Sequence, residues 1–185
     1  MSHFTPANSM ESPRFTGVRT FARLPNVTEL TDVDLAVVGL PFDTGVTYRV
    51  GARFGPEAVR SASVMLRAYN PELKVKPFEV LSCVDYGDAT VYPGFIHESY
   101  ESIDVDFFDP AYAPGTGTPE VGGPTSFQGL QYLRARTGVN WIGGSVVEVL
   151  PAYDHAQLTA QIGAQVAYEF ICLVALEKVK RTVRN

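Results

Sequence analysis

Apolar residues in this chain fall into short unbroken runs, separated by segments whose apolar positions recur every three or four residues. The first run, residues 34–40 (DLAVVGL), ends at Pro41 and has the character of a strand buried on both faces of a parallel sheet. After a glycine-rich loop, Gly55-Pro56-Glu57 opens a helix, with proline in the first turn and an acid set against the helix dipole. Ala58, Val59, Ala62, Met65, Leu66 and Tyr69 share one face of that helix, and Asn70-Pro71 is expected to stop it. Residues 78–84 read as a second strand, a short helical piece is expected near 96, and residues 103–107 read as a third strand. Residues 124–136 read as a helix with Phe127, Leu130 and Leu133 inward, and 139–149 as a fourth strand. A long helix over about 155–180 closes the chain, with Asp154 as N-cap and Lys178, Lys180 and Arg181 complementing its dipole. Strands alternating with helices predict a three-layer α/β/α domain around a parallel sheet of about four strands, filling residues 31–185. Residues 1–30, rich in Pro, Ser, Thr and Asn, are expected to form an extended arm anchored by Phe15, Phe21 and Leu24.

Composition narrows the partners. The 185 residues suffice for one hydrophobic core, and the net charge of −5 argues against a nucleic acid, which needs a positive face. A mildly acidic protein favours cationic small molecules instead. Cys83 and Cys172 lie in apolar runs and are expected to be buried free thiols. The N-terminal residues lack the charged start and apolar stretch of a signal peptide. The longest apolar stretch, 162–176, is interrupted by Gln165 and Glu169 and reads as too short and too polar to span a membrane. The expectation is a cytoplasmic protein with no membrane partner.

In open parallel sheets the functional site lies at the carboxyl ends of the strands. Residues 41–45, Asp104 with Asp106, and Glu148 all fall there. Two aspartates two apart on a strand share a face, and their mutual repulsion calls for a cation such as Mn²⁺ or Mg²⁺. Taken alone, the Asp-x-Asp pair is a weak signal and fits two solvated acids at a loop edge better. Glu148 alone fits an exposed or capping acid, and Thr118 a turn hydroxyl bonded to its own backbone. Arg49 and Arg53 could bind anions, but suit loop packing and subunit contacts better.

The longer strings say more. Residues 102–123, SIDVDFFDPAYAPGTGTPEVGG, resemble the signature of the arginase/agmatinase ureohydrolases at Ser102, Ile103, Asp104, Val105, Asp106, Pro110, Pro114, Gly115 and Gly123. Residues 146–159, VVEVLPAYDHAQLT, resemble the agmatinase and guanidinobutyrase branch of that family, and 39–60 and 13–25 its first βα unit and N-terminal arm. The resemblance implies an arginase-like fold and metal-dependent hydrolysis of a guanidino compound, agmatine or guanidinobutanoate, to urea and an amine. It implies that Asp104 and Asp106 bind manganese, that Glu148 pairs with the substrate guanidinium and that Thr118 lies close to it. His155 reads as structural, and Ser145 departs from the aspartate many relatives carry there. The resemblance comes in two blocks, 13–101 and 102–181, that meet near 101–103. The stretch absent between them normally carries Gly-Gly-Asp-His and Asp-Ala-His-x-Asp, which supply four of the expected metal ligands. This chain has His3, His97 and His155, none in such a motif. Two readings therefore stay open: an agmatinase-like hydrolase, and a catalytically inactive truncated ureohydrolase that acts at most as a scaffold or partner in a homo-oligomer. A module that binds a guanidino ligand without chemistry is a third. With the central strand gone, the first and last strands are expected to pair directly, giving the order second, first, last, third.

Overall fold

The last 27 residues of regular structure organise the molecule. In the computed structural model, which describes residues 3–43, 48–89, 102–139, 141 and 143–184, a single helix, α4 (Leu158–Arg184), runs through the centre. Ala160, Ala164, Val166, Tyr168, Ile171, Cys172, Leu173 and Ala175 bury its several faces. Against it pack α1 (Gly55–Ser63), α2 (Pro77–Val80), α3 (Ser126–Arg134) and the strand β4 (Ser145–Val147). The helix starts three residues later than expected, after two 3-10 turns, Pro151–Tyr153 and His155–Gln157. Asp154 caps it all the same: its carboxylate accepts the amides of Thr159 at 2.8 Å and Ala160 at 2.9 Å, two of the donors a helix start leaves unpaired. His155 stays exposed and takes no part in the cap. The expectation that this segment is too short and polar for a membrane span needs correcting. By length and composition it passes, with a window of mean hydropathy 1.4, but 67% of that window is buried in protein. Its apolar character therefore serves the core.

Glu169 shows how that core tolerates charge. It is fully buried on α4 and accepts from Arg134 of α3 at 2.6 Å, Asn70 at 3.0 Å and Gln165 at 3.0 Å. A buried carboxylate survives only when its oxygens are filled in this way. Asn70 thereby ties the segment after α1 to α4. α1 itself ends at Ser63, before the expected stop, so Met65 and Tyr69 lie outside the helix and are exposed. Phe127, expected inward, is exposed too, while Leu133 is buried and Leu130 packs against the core. The α3 start is set by a capping box between Thr125 and Gln128.

The strands are parallel but shorter than expected, and displaced. β1 (Leu35–Gly39) pairs with β2 (Cys83–Asp88), with a register shift between Val37 and Val38. The expected strand at 78–84 gives way at its start to the α2 turn, because Pro77 favours a first helical position and Leu81 N–H closes back onto Pro77 O at 2.8 Å. β3 (Ser102–Asp104) pairs with β4, in the register Asp104 to Val147. Each pair matches the expected neighbours, yet β1 and β4 do not pair with each other. Among the described residues there are two separate two-stranded sheets. An open edge forces such closure only where it is buried, because buried N–H and C=O groups need partners. Val38, in β1, and Leu40, just beyond it, are about half exposed, so this end of the strand borders water. The helix expected near 96 lies outside the described residues.

The arm is held by Asp85, which is fully buried on β2. Its carboxylate accepts Phe21 N–H at 2.6 Å, Gly87 N–H at 2.9 Å and two guanidinium nitrogens of Arg60, at 2.8 and 3.0 Å. Phe21 and Leu24 are buried as anchors, but Phe15 is exposed and anchors nothing. Both thiols are buried and free, and burial pushes each up to about 12.

Candidate functional site

The carboxyl end of β3 turns at once into a 3-10 helix, Val105–Phe107. Asp106 therefore does not sit on a strand face beside Asp104, as its spacing had suggested. Asp104 is the N-cap of that turn, and its Oδ1 accepts the Asp106 amide at 2.9 Å. The pair is thus joined through backbone. Asp106 Oδ2 accepts the Thr118 amide at 3.1 Å and also the Thr118 hydroxyl. Thr118 is neither a self-bonded turn hydroxyl nor a free group: it is clamped to Asp106. The other oxygen, Asp106 Oδ1, is buried with no hydrogen-bond partner.

Glu148 enters from the end of β4. It has φ +63°, a left-handed conformation that a side-chain-bearing residue rarely holds without surrounding restraint. The restraint comes from Val149 and Leu150, which are buried, and from Leu150 N–H bonding Gly115 O at 2.8 Å. The same loop is tied by Gly115 N–H to the buried Thr159 hydroxyl at 2.8 Å. This docking brings Gly117 beside the Glu148 carboxylate: a Cβ added to Gly117 would lie 2.8 Å from Oε2. The structure thus gathers Asp104, Asp106, Thr118 and Glu148, from three sequence-distant segments, at one end of the β3–β4 pair.

The field of this cluster is negative. Burial pushes the Glu148 carboxyl above its usual range, and the charges of Asp104, Asp106 and Asp43 push it further. Burial raises Asp104 as well, even though part of the residue reaches solvent, and the Asp106 charge adds to this while the Asp106 amide opposes it. Such a site gains from a bound cation. Asp43, part of the 41–45 segment, was not singled out in the sequence. It is buried, and the Arg53 guanidinium holds its carboxyl below the usual range. Asp43 also accepts Gly51 N–H at 2.8 Å, so it fixes the loop that carries Arg49. Residues 44–45 lie outside the described residues. Gly117, against the Glu148 carboxylate, is a further part of the site that the sequence reading leaves out.

A manganese pair needs a dense set of oxygen and nitrogen donors. Among the described residues, no group of three or more His, Cys, Asp or Glu is placed to hold an ion. Asp104 Oδ1 and Asp106 Oδ2 each accept from N–H or O–H donors, so the two carboxylates are partly engaged within the loop itself. These residues do not fit a two-metal centre.

Known proteins place this arrangement in context. The arginase family model matches the chain in two segments, residues 33–100 and 94–173. Guanidinopropionase from Pseudomonas aeruginosa is 25% identical over 307 aligned positions, taking in 94% of this chain and 96% of that protein. That alignment is longer than the 185-residue chain, so internal residues of the relative have no counterpart here. The crystal structure of a hypothetical agmatinase from Burkholderia thailandensis superposes with a TM-score of 0.81 at 26% identity, covering 90% of this chain and 93% of that one. Trypanosoma cruzi formiminoglutamase, solved with Mn²⁺, shares the fold at a TM-score of 0.67 and 15% identity, over 80% of this chain and 95% of its own. Two matched segments that span most of the chain, on an α/β frame that superposes on those structures, make this protein a member of the arginase family that lacks an internal stretch of it.

Proposed function

We propose that this chain keeps the guanidinium-binding wall of an agmatinase-like ureohydrolase and, standing alone, binds a guanidino compound without hydrolysing it. One observation carries the reading: Glu148, Thr118 and Asp106 converge beside a buried, unpaired carboxylate oxygen, with no third metal donor among the described residues. A carboxylate faces a guanidinium well because its two oxygens match the planar fork of N–H donors. The raised Glu148 and Asp104 carboxyls reflect negative charge that a guanidinium would neutralise. Relatives named guanidinopropionase and agmatinase support a guanidino ligand. Hydrolysis needs a nucleophile, which in metal hydrolases is a metal-activated hydroxide. With two aspartates, one of them spent on Thr118, nothing in the described site generates it.

Calorimetry with 4-guanidinobutanoate tests the binding, and urea release with added Mn²⁺ tests the chemistry. Binding without urea is the expected outcome. Urea release that Asp104→Ala abolishes would overturn the inactive reading, and absence of binding would overturn the guanidinium reading.

A further inference from the structure

Met65, Tyr69 and Phe127 are side chains whose sequence pattern directs them inward, yet they are 70%, 44% and 66% exposed. All three line one cavity of about 560 Å³, formed by residues from 62–72, from α3 and from α4. That volume lies within the range of about 300–1,000 Å³ that small-molecule sites occupy. Asp104, Asp106, Thr118 and Glu148 take no part in its lining, so it is separate from the acidic cluster.

The buried part of this cavity is polar. Arg134 gives one terminal guanidinium nitrogen to Glu169, but its Nε is buried and has no hydrogen-bond partner among the described residues. The Tyr168 hydroxyl is likewise buried without a hydrogen-bond partner, and the Cys172 thiol near it is a weak hydrogen-bonding group. Both residues line the cavity. A buried donor without an acceptor has lost its water and gained nothing, and an acceptor brought to it restores that loss. Charge on the walls is balanced. Arg67 and Arg134 stand against Glu72, which also lines the cavity, and Glu169, which pairs with Arg134. A net charge on an occupant therefore gains little. The cavity offers unfilled donors and uncovered apolar surface.

We propose that this cavity is a second ligand site, for a small uncharged aromatic carbonyl compound such as an aryl amide. The carbonyl oxygen accepts from Arg134 Nε–H, with the Tyr168 hydroxyl as a second donor, and the ring covers Met65, Tyr69 and Phe127. An acceptor has to reach a buried nitrogen, which favours a small molecule entering the cavity over a protein surface laid across it. This site is independent of the guanidinium reading above.

The test is calorimetry on the full chain with benzamide, benzoate and benzylamine, which share a ring and differ in charge. Benzamide should bind, and the two charged probes should bind about tenfold more weakly or worse. Phe127→Ala, at an exposed position, should weaken benzamide roughly fivefold through lost apolar contact. Arg134→Lys keeps a cation for Glu169 but removes the Nε–H, and should weaken benzamide about tenfold. Tyr168→Phe deletes a hydroxyl without a partner, so the thermal midpoint should not fall while benzamide affinity drops about threefold. Should Arg134→Lys fail to fold, Tyr168→Phe decides the role of the donors. Unchanged benzamide affinity in Phe127→Ala, or in every folded donor variant, overturns the proposal. So does benzamide that binds no better than the charged probes, or not at all. Saturating 4-guanidinobutanoate should leave benzamide affinity unchanged, and displacement would put benzamide in the acidic cluster and remove the second site. Self-association that Phe127→Ala abolishes, with no benzamide binding, would assign this face to a second copy of the chain instead.

Discussion

Gly117→Ala separates the shape of the site from the stability of the fold. The added Cβ would come within 2.8 Å of Glu148 Oε2, closer than such contacts are found, so one partner must move. That atom ends a flexible side chain, and the carboxylate gives way before the backbone does. Stability should change little. Alanine at a backbone-compatible glycine position even restricts the unfolded chain, worth about 0.4–1 kcal/mol in favour of folding. Guanidinium binding, in contrast, loses the aim of Glu148. A hydrogen bond to a charged group contributes about 1.5–3 kcal/mol, so the dissociation constant should rise roughly 10- to 150-fold. Gly115→Ala makes the control. There the Cβ would meet Asp154 Cβ at 2.4 Å and its Cα at 2.8 Å, and main chain must move. That shift pulls Asp154 off the α4 amides, costing about 0.5–2 kcal/mol of capping, with about 1–3 kcal/mol more for overpacking. Thermal melts and calorimetry with methylguanidine, run on both variants, read the two effects independently. Wild-type affinity in a folded Gly117→Ala protein would refute the placement of Glu148 in the binding wall.

Further outcomes follow from other parts of the structure. Glu169→Ala should destabilise the fold by about 3–5 kcal/mol, because it strands Arg134 beside a buried cavity. A urea midpoint that moves by the equivalent of less than about 1 kcal/mol, at unchanged slope, would contradict this. Glu148 and Asp104 have raised carboxyls in the folded state, so protonation favours folding. Their contribution is present at low pH and is withdrawn as pH rises from the ordinary carboxylate range through the raised values. Guanidinium affinity should run the opposite way, growing over that same window as the two groups ionise, and Glu148→Gln should flatten the profile; a pH-independent dissociation constant in the unaltered protein would count against the site. After dialysis from excess Mn²⁺, metal analysis should find fewer than two ions per chain, and a stoichiometry of two would mean that donors outside the described cluster complete a centre.

Much of this was legible in the sequence, and for identifiable reasons. The alternation of apolar runs and helical faces determined the α/β class, because periodicity records burial directly. The strings around Asp104 and Glu148 determined the family, since spaced glycines, prolines and acids are constrained by backbone shape. The free buried thiols and the capping role of Asp154 were also readable, being local in cause. Tertiary structure alone decided the rest. It made Asp106 part of a 3-10 turn, clamped to Thr118, and it broke the sheet into two pairs. It turned Glu169 from an interruption in an apolar run into the centre of a buried network. It set Gly117 under Glu148 and left Arg49 between two tyrosines without a carboxylate among the described residues. The physical reason is common to all of these. Each depends on which distant segment supplies a donor, an acceptor or a space, and a pattern along one chain carries the period of burial but not the identity of the neighbour.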